Sequence, residues 1–383
     1  MLYRTLGRSG IEVSRIGLGG HREGVEARPY VARTARYFLP ARDRARVVGR
    51  AIEGGVTYFD TTFGCEIASL GESLRILGRR DGLFVSGMRV DFFECFQTEG
   101  GNVRAYTRRE VEGRIREFGF DHIDQFLLGA LDIGDSLAAG RSVIEDALDE
   151  LDRLRAEGKV RLVGFSCHDP DYAARLLEAF PAFDTVMTPY NFVNRKAEGA
   201  LADAVQKTGA AWVAMKPLVW GVYGVPVTVL RNLRPVPGRC EFDPQAAIAA
   251  LALRFILANP RVATIVPAVN SVRAMDENLS AAAAPELSGA EQAQLEAYAA
   301  AMAADDMIPL AIGGLLEDNL RVRRHAIGLA ANRLGLEIAP LDPHAADAED
   351  RARRIAGDIL TRLREDPKWA PFMPESTLSL ARR

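Results

Sequence analysis

The chain has 383 residues, of which 48% are hydrophobic, and a formal net charge of −3. This size predicts one large core with an appended segment, and the slight excess of acidic side chains argues against a nucleic-acid partner. The four cysteines, Cys65, Cys95, Cys167 and Cys240, lack the spacing of metal ligands, so we expect reduced thiols, no bound metal and no iron–sulfur cluster. The sequence shows neither an apolar signal segment nor an apolar run of membrane-spanning length, which predicts a cytoplasmic protein without membrane contact.

The predicted secondary structure begins with a hairpin around residues 7–10 and a short strand that ends near Gly19. Strand and helix patterns alternate after it. Predicted strands cover residues 57–60, 83–88, 123–128, 160–166, 185–188, 211–216 and 263–266, and helical patterns include 41–52, 111–118, 143–156, 173–180 and 246–258. A capping-box spacing from Thr107 to Glu110 precedes the second of these helices. The alternation, with no GxGxxG after the first strand, predicts an α/β fold of the (β/α)8 TIM-barrel type rather than a doubly wound sheet.

The chain divides by character into two predicted parts. Residues 1–302 form the barrel with its N-terminal β-hairpin, and residues 303–383 form a helical extension packed on the barrel, with its pieces separated by the proline-bearing APLDPH. Three long connections, 20–43, 89–106 and 217–243, follow the C-terminal ends of predicted strands. Barrel active sites are built at that end, so these connections are expected to line one.

Six motifs in chain order resemble the aldo-keto reductase family over residues 1–302. They are TLGRSGIEVSRIGLGG, GGVTYFDTT, GKVRLVGFS, PYNFVNR, AMKPL and IVPAVNSVRAMDENL. The resemblance implies NAD(P)H bound across the barrel mouth and hydride transfer to a carbonyl. It also implies a tetrad of aspartate, tyrosine, lysine and histidine, in which tyrosine donates the proton that the developing alkoxide needs.

Three of the four tetrad positions depart from the family pattern. Asp60 keeps the aspartate, but Cys65 stands at the tyrosine position, Met88 at the lysine position and Gly129 at the histidine position. A shift of one residue would offer Arg89 in place of the lysine, but strand alternation would turn that side chain away from the barrel axis. The usual carbonyl reduction is therefore not expected.

The resemblance also implies a changed cofactor site. Ser166 is kept at the nicotinamide end, whereas Cys167 and Met187 replace the family's asparagine and glutamine. Glu277 and Asn278 stand where the family holds adenine, although they also suit an ordinary helix turn. We expect weak binding of NAD(P)H at most.

Three side chains are candidates for catalysis. Asp60 is predicted to act as a general acid or base, with turn capping as the alternative. Cys65 is a candidate nucleophile, although a small buried thiol is the commoner outcome. Lys216 at the end of the seventh strand is a candidate for Schiff-base or acid chemistry, against a phosphate contact or an ion pair.

The predicted substrate contacts are side chains at or near strand ends: Met88, Arg89, Gly129, His168, Tyr190 and Trp220. His168 has a helix-capping role as its alternative. A run of basic residues in the first long connection, from His21 to Arg42, predicts an anionic small-molecule substrate. The aromatic segments DFFECF and VWGVY are predicted lids, or packing beneath the loops.

Three classes of function follow from these residues. The first is a lyase, dehydratase or isomerase that does not use the tetrad, acting on a small anionic metabolite. The second is a nicotinamide-dependent oxidoreductase with another proton donor. The third is a binding or scaffold protein on an inactive barrel. The sequence leaves the substrate and the oligomeric state open.

Overall fold

The computed structural model describes residues 1–20, 41–132, 136–218, 248–269, 271–284 and 286–303 and, with gaps, 312–373. The basic run from His21 to Arg36, the VWGVY segment with Trp220, and Cys240 therefore lie outside the described residues. Among the described helices, none is long and apolar enough to cross a membrane.

A two-stranded antiparallel hairpin, β1 (Tyr3–Thr5) and β2 (Glu12–Ser14), opens the chain. Leu6 and Val13 are fully buried in the cluster that fills the barrel interior, so the hairpin covers the N-terminal end of the barrel. The turn needs glycine, because a Cβ on Gly7, whose φ is +52°, would lie 2.3 Å from the carbonyl oxygen of Gly209.

The central sheet consists of parallel strands that follow one another in chain order. They are β3 (Tyr58–Asp60), β4 (Phe84–Arg89), β5 (Gln125–Leu128), β6 (Leu162–Ser166), β7 (Thr185–Pro189), β8 (Ala211–Met215) and β9 (Val262–Ile265). Single parallel bridges from Ile16 to Ile265 and from Leu18 to Phe59 join the first and last of these strands through the segment predicted to end near Gly19. This segment closes the ring, so the predicted (β/α)8 barrel is confirmed.

Helices surround the strands and bury the outward-facing strand side chains. They are α1 (Ala41–Glu53), α2 (Gly64–Leu77), α3 (Phe92–Glu99), α4 (Val103–Phe118), α5 (Ser136–Ala139), α6 (Arg141–Ala156), α7 (Pro170–Ala179), α8 (Ala200–Thr208), α9 (Ile248–Ala258), α10 (Val272–Ala283) and α11 (Gly289–Ala303), with α12 (Ala348–Glu365) in the extension. A single apolar cluster includes outward residues such as Phe59, Phe126 and Phe165 together with the inner faces of these helices.

Two sequence predictions about this region were wrong. The connection 89–106 is largely helical, because α3 buries Phe92 and Phe93, which are at most 1% exposed. The DFFECF segment therefore packs beneath the loops, as the alternative interpretation of the sequence expected, and does not form a free lid. Helix α4 begins at Val103 rather than near residue 111, since the side chain of Asn102 accepts the N–H of Ala105. Thr107 is thus buried inside the helix and does not cap it.

A second apolar cluster joins the barrel to the later part of the chain. Phe192, after β7, and Leu251 of α9 pack in it with Ile312, Ile359 of α12 and Trp369. Burial of these side chains is what holds the later helices against this side of the barrel. The division at residue 302 remains a prediction.

Candidate active site

The barrel mouth is formed by the C-terminal ends of the strands. Side chains of a strand alternate in direction, so residues two apart share a face. Tyr58, Met88, Leu127 and Met187 belong to the cluster inside the barrel, and Met215 packs against it. Asp60 follows Tyr58 by two residues and therefore faces the barrel interior as well. The same holds for Gly129 after Leu127 and for Ser166 after Gly164. These three residues form the last layer of inward-facing positions before the mouth.

Asp60 is a buried carboxyl group in that layer. It is 5% exposed, its N–H donates to the carbonyl of Leu18 at 2.9 Å, and its Oδ1 has no hydrogen-bond partner within the part of the chain that the structure describes. Burial and, less strongly, the nearby charge of Glu66 raise its pKa to about 7, against the lowering effect of a hydrogen bond from Ser86. Asp60 can therefore take up or give a proton near neutral pH.

The buried Glu66 acts electrostatically on this carboxyl group and also on a buried arginine, Arg44. Glu66 lies in the first turn of α2 at 1% exposure, and its Oε2 accepts the N–H groups of Thr62 at 2.7 Å and Phe63 at 3.2 Å. Arg44 of α1, also 1% exposed, donates through Nη1 to the carbonyl of Val269 at 3.2 Å. Burial lowers the pKa of Arg44 to about 9, against the raising effect of Glu66.

Arg44 was not among the residues that the sequence singled out. Its helical spacing from Val47, Val48 and Ala51 places it on the buried face of α1, and this signal could have identified it. Among the described residues its Nε has no hydrogen-bond partner. The buried guanidinium group of Arg44 therefore interacts electrostatically with the buried carboxylate of Glu66.

Cys65, next to Glu66 at the start of α2, is half-buried. Burial raises the pKa of its thiol, and the charge of Glu66 raises it further, so the thiol stays protonated at neutral pH. The thiolate is the nucleophilic form of cysteine, and these surroundings disfavour it.

Met88 and Gly129 leave no polar group at two strand ends. The Met88 sulfur faces the interior, 3.8 Å from Ser166 Oγ. A Cβ on Gly129 would lie 2.6 Å from the carbonyl oxygen of Arg89 and 3.0 Å from Met88 Cγ, so no side chain fits there without a shift of the backbone of β4. A histidine at the end of β5 is therefore excluded by space as well as by sequence.

Two predicted substrate contacts point away from the mouth. Arg89 Nε donates to Tyr106 Oη at 3.0 Å and lies 3.1 Å from a Glu110 carboxylate oxygen, both on α4 outside the barrel. Tyr190 Oη donates to Glu198 at 2.6 Å, and its ring packs on Trp212 with centroids 4.8 Å apart. These contacts make both side chains parts of the barrel wall.

The residues at the expected nicotinamide position offer few free polar groups. Ser166 Oγ accepts the N–H of Ala130 at 2.9 Å, and the fully buried Cys167 donates through Sγ to the carbonyl of Asp169 at 3.1 Å. Met187 contributes a buried thioether, which is a weak acceptor. A carboxamide needs both donors and acceptors to leave water, so this donor set does not fit the nicotinamide ring.

The predicted adenine position is more open. Glu277 of α10 has a side chain 59% exposed, 3.9 Å from Arg273, whereas Asn278 is 7% exposed. Ser271 caps this helix by accepting the N–H of Ala274 at 3.1 Å. The two residues thus stand on a well-formed helix, as the alternative interpretation of the sequence expected, and their roles remain predictions.

Lys216 directly follows β8 and has a φ of +56°, a left-handed conformation that is uncommon for residues other than glycine. Asn191 Nδ2 donates to its carbonyl oxygen at 3.2 Å. Asp91 after β4 and Ala130 after β5 have φ values of 52° and 51°. Strained backbone of this kind persists where the surroundings impose it, and here it lies at three strand ends of the mouth.

Asp132 and His168 form a pair, of which only His168 was singled out from the sequence. Asp132 Oδ2 accepts the backbone N–H groups of His168 at 3.0 Å and Asp169 at 3.3 Å, and its Oδ1 lies 3.7 Å from His168 Nδ1. Burial raises the pKa of Asp132, but the hydrogen bonding and charge of His168 outweigh it and hold that pKa below its usual value. The cap of α7 is Asp169, so the alternative role predicted for His168 falls to its neighbour.

Comparison with known proteins agrees with this architecture. The model of the aldo/keto reductase family matches residues 16–224. Among curated relatives, L-galactose dehydrogenase of Arabidopsis thaliana is 23% identical over 313 residues, covering 76% of this chain and 91% of that protein. L-glyceraldehyde 3-phosphate reductase of Escherichia coli K12 is 22% identical over 345 residues, covering 78% and 93%.

A solved structure similar to this chain is that of aldo-keto reductase AKR11C1 from Bacillus halodurans in its holo form. The TM-score is 0.57 at 21% sequence identity, and the match covers 77% of this chain and 95% of that one. At this identity the likeness concerns the fold.

Proposed function

Because the chain belongs to the aldo/keto reductase family, we propose that it is an enzyme in which Asp60 transfers protons within a small anionic metabolite, by lyase, dehydratase or isomerase chemistry that does not use the tetrad. The observation that carries this proposal is the state of Asp60: a buried carboxyl at the mouth with a pKa of about 7 and an Oδ1 that has no partner among the described residues. A general acid or base works best when its pKa is close to the working pH.

The surrounding residues support proton transfer more than hydride transfer. Cys65, Met88 and Gly129 offer no acidic hydroxyl, no ammonium group and no imidazole, so a developing alkoxide would find no donor from these positions. Cys167 and Met187 offer little to a carboxamide. Lys216 and Cys65 remain candidates for a supporting role.

The proposed step begins with the Asp60 carboxylate taking a proton from a carbon next to a carbonyl group. The C–H electron pair becomes the carbon–carbon double bond of an enol, and the carbonyl oxygen takes a proton from a second acid. If the first carbon carries a hydroxyl group, return of the Asp60 proton to the former carbonyl carbon and of the hydroxyl proton to the second group gives the isomeric carbonyl compound. If the β-carbon carries a hydroxyl group, that hydroxyl leaves as water with the Asp60 proton, the enol proton returns to the second group, and an unsaturated carbonyl product remains. Such acid–base catalysis is worth about 10²–10⁴-fold in rate.

A second candidate is a nicotinamide-dependent oxidoreductase in which Asp60 donates the proton. The names of the relatives, a dehydrogenase and a reductase, favour it, as does the position of Asn278 and Glu277 on α10. The poor fit of the described residues to nicotinamide makes it the less favoured of the two.

The test is hydrogen–deuterium exchange without nucleotide. The protein is incubated in D₂O with a panel of small carboxylated and phosphorylated hydroxy ketones and hydroxy acids, and loss of C–H signal is followed by proton NMR. Asp60→Asn should lower the exchange rate by about 10²–10⁴-fold. Asp43→Asn, which removes the same charge from the exposed face of α1, is the control and should leave the rate unchanged.

Each outcome favours one class of function. Exchange that is equal in wild type and Asp60→Asn contradicts the assignment of Asp60. Turnover of the panel only with NADH or NADPH, at rates usual for carbonyl reduction, favours the oxidoreductase. Neither exchange nor reduction for any compound favours a binding or scaffold protein.

A further inference from the structure

The loops after β5 and β6 are tied together at the mouth by hydrogen bonds between neighbouring strands. Ala130 N–H donates to Ser166 Oγ at 2.9 Å and Leu131 N–H to the carbonyl of Ser166 at 3.1 Å. Beyond them, Asp132 accepts the N–H of His168 at 3.0 Å. These hydrogen bonds hold the Asp132 carboxylate next to the imidazole of His168.

This imidazole stands one strand away from a position that cannot hold one. Gly129 at the end of β5 has no space for a side chain, whereas His168 follows β6, the strand paired with β5 through Leu128 and Phe165. The His168 side chain is 28% exposed and that of Asp132 15%, so the pair lies at the edge of the mouth and is accessible to a ligand.

From this arrangement we propose that His168, oriented by Asp132, is the second proton-transfer group of the site and acts together with Asp60. The inference rests on the proposed function. Asp132 is a positioning residue here: its Oδ1, which has no hydrogen-bond partner among the described residues, lies 3.7 Å from Nδ1 and favours a proton on that nitrogen. Separations of this length in ligand-free sites shorten when the site is occupied.

The two groups divide the proposed step between them. Protonated His168 gives a proton from Nε2 to the substrate carbonyl oxygen while the Asp60 carboxylate takes the proton from the adjacent carbon. The products are the enol, neutral imidazole and protonated Asp60. His168 then takes a proton from the neighbouring hydroxyl as Asp60 returns its own to carbon, so atoms and charges balance and both groups recover their first state.

The other titratable groups near His168 are ion-paired with other residues or stay uncharged. Lys196 lies 2.8 Å from a carboxylate oxygen of Asp169 and 2.9 Å from one of Asp171. The Cys167 thiol is fully buried, and burial raises its pKa far above neutrality, so it does not titrate in the working range. Asp132 is thus the carboxylate that faces the imidazole ring.

The first experiment needs no substrate. Long-range proton–nitrogen NMR of histidine-labelled protein identifies which ring nitrogen of His168 carries the proton, with His168→Gln used for assignment. We expect the Nδ1–H form in wild type and the Nε2–H form in Asp132→Asn, whose amide can still accept the two backbone N–H groups. The Nε2–H form in both proteins overturns the dyad.

The second experiment measures the pH profile of exchange with the best compound of the D₂O panel. His168→Gln should lower the rate about 10²-fold and remove one limb of the profile, leaving the limb of Asp60. His122→Gln is the matched control, because His122 Nδ1 also pairs with a carboxylate, Asp121 at 2.7 Å, but at the opposite end of the barrel. It should change neither rate nor profile.

Failure of this inference is distinct from failure of the proposed function. If wild type exchanges and His168→Gln does so at the same rate with both limbs, His168 is not a proton-transfer group, and Asp60 alone carries the proposal. If wild type exchanges no compound of the panel, the proposed function falls and the role of His168 falls with it.

Discussion

The two ends of the barrel hold buried carboxylates in opposite ways. At the N-terminal end, Asp124 accepts the N–H of Val85 at 2.9 Å and lies 2.8 Å from Arg80 and 2.9 Å from Arg161. Asp184, before β7, repeats this arrangement with the N–H of Val163 at 3.0 Å and with Arg155 at 2.7 Å.

At the mouth, Asp60 and Asp132 each keep one carboxylate oxygen without a hydrogen-bond partner in the described part of the chain. Carboxylates that are satisfied in full stabilise the fold, whereas a buried carboxylate with a raised pKa, such as that of Asp60, costs free energy and persists where it is used. The comparison teaches that the N-terminal end of this barrel serves stability and that the mouth serves chemistry.

Removing the charge of Asp124 should have the largest effect on stability. Asp124→Asn leaves Arg80 and Arg161 without their carboxylate and should lower the free energy of unfolding by about 3–5 kcal/mol. Urea unfolding at neutral pH measures this change. The reaction rate per folded molecule should stay the same. A variant that is stable but inactive would contradict the assignment of stability to the N-terminal end and of chemistry to the mouth.

Asp60→Asn should do the reverse and stabilise the protein at high pH. Its pKa rises from 3.8 to about 7 on folding, so the folded state binds more protons between these values and stability falls as pH rises through them. The variant lacks this cost, and its gain at pH 8 is at most about 4 kcal/mol. Urea unfolding at pH 8 and pH 5 should show a gain that shrinks at the lower pH; a loss at pH 8 would mean that Asp60 is paired and structural.

Gly129→Ala should destabilise the protein although it adds one methyl group. The new Cβ meets the backbone of Arg89 at 2.6 Å, and overpacking of this kind costs about 1–3 kcal/mol. The control is Gly357→Ala in α12, where no atom lies within 4 Å of the new Cβ and a gain of about 0.5–1 kcal/mol is expected. Thermal unfolding of both variants measures the difference in stability. If the two variants are equally stable, the backbone of β4 can shift at little cost in free energy.

Glu66→Gln should lower the pKa of Asp60, because the charge of Glu66 is one of the causes that raise it. The amide oxygen can still accept the N–H groups of Thr62 and Phe63, so the start of α2 should persist. Carbon NMR of the Asp60 carboxyl, assigned with Asp60→Asn, follows the titration. Glu72→Gln, an exposed change on the same helix, should leave it unmoved; a shift of equal size in both would point to a general charge effect.

Much of the fold could be predicted, because it depends on local patterns that recur along the chain. Apolar strand runs and their order gave the barrel, and strand alternation correctly turned Arg89 outward. Asp60 could be placed at a strand end for the same reason. The start of α4 was misplaced because the cap, Asn102, stands nine residues before the apolar pattern that marked the helix.

The rest of the candidate site depends on contacts between distant segments. The hydrogen bond from Arg44 to the carbonyl of Val269 requires α1 to pack near that residue, and no local pattern encodes this contact. The role of Asp132 can be seen only in the structure, where β5 and β6 lie side by side and bring its carboxylate close to His168. The lack of space at Gly129 is likewise a property of the backbone of β4, not of the residue itself.

The closing segment of the barrel has a consequence for how the chain reaches this structure. Ile16 bridges to Ile265, and Thr264 Oγ1 donates to the carbonyl of Ser14, a separation of 250 residues. Contacts of such high sequence separation slow folding, because loop-closure entropy is lost before they form. During synthesis the closing segment at Ile16 and the outer edge of β8 must therefore wait for β9. The interval leaves unpaired strand edges exposed to other nascent chains.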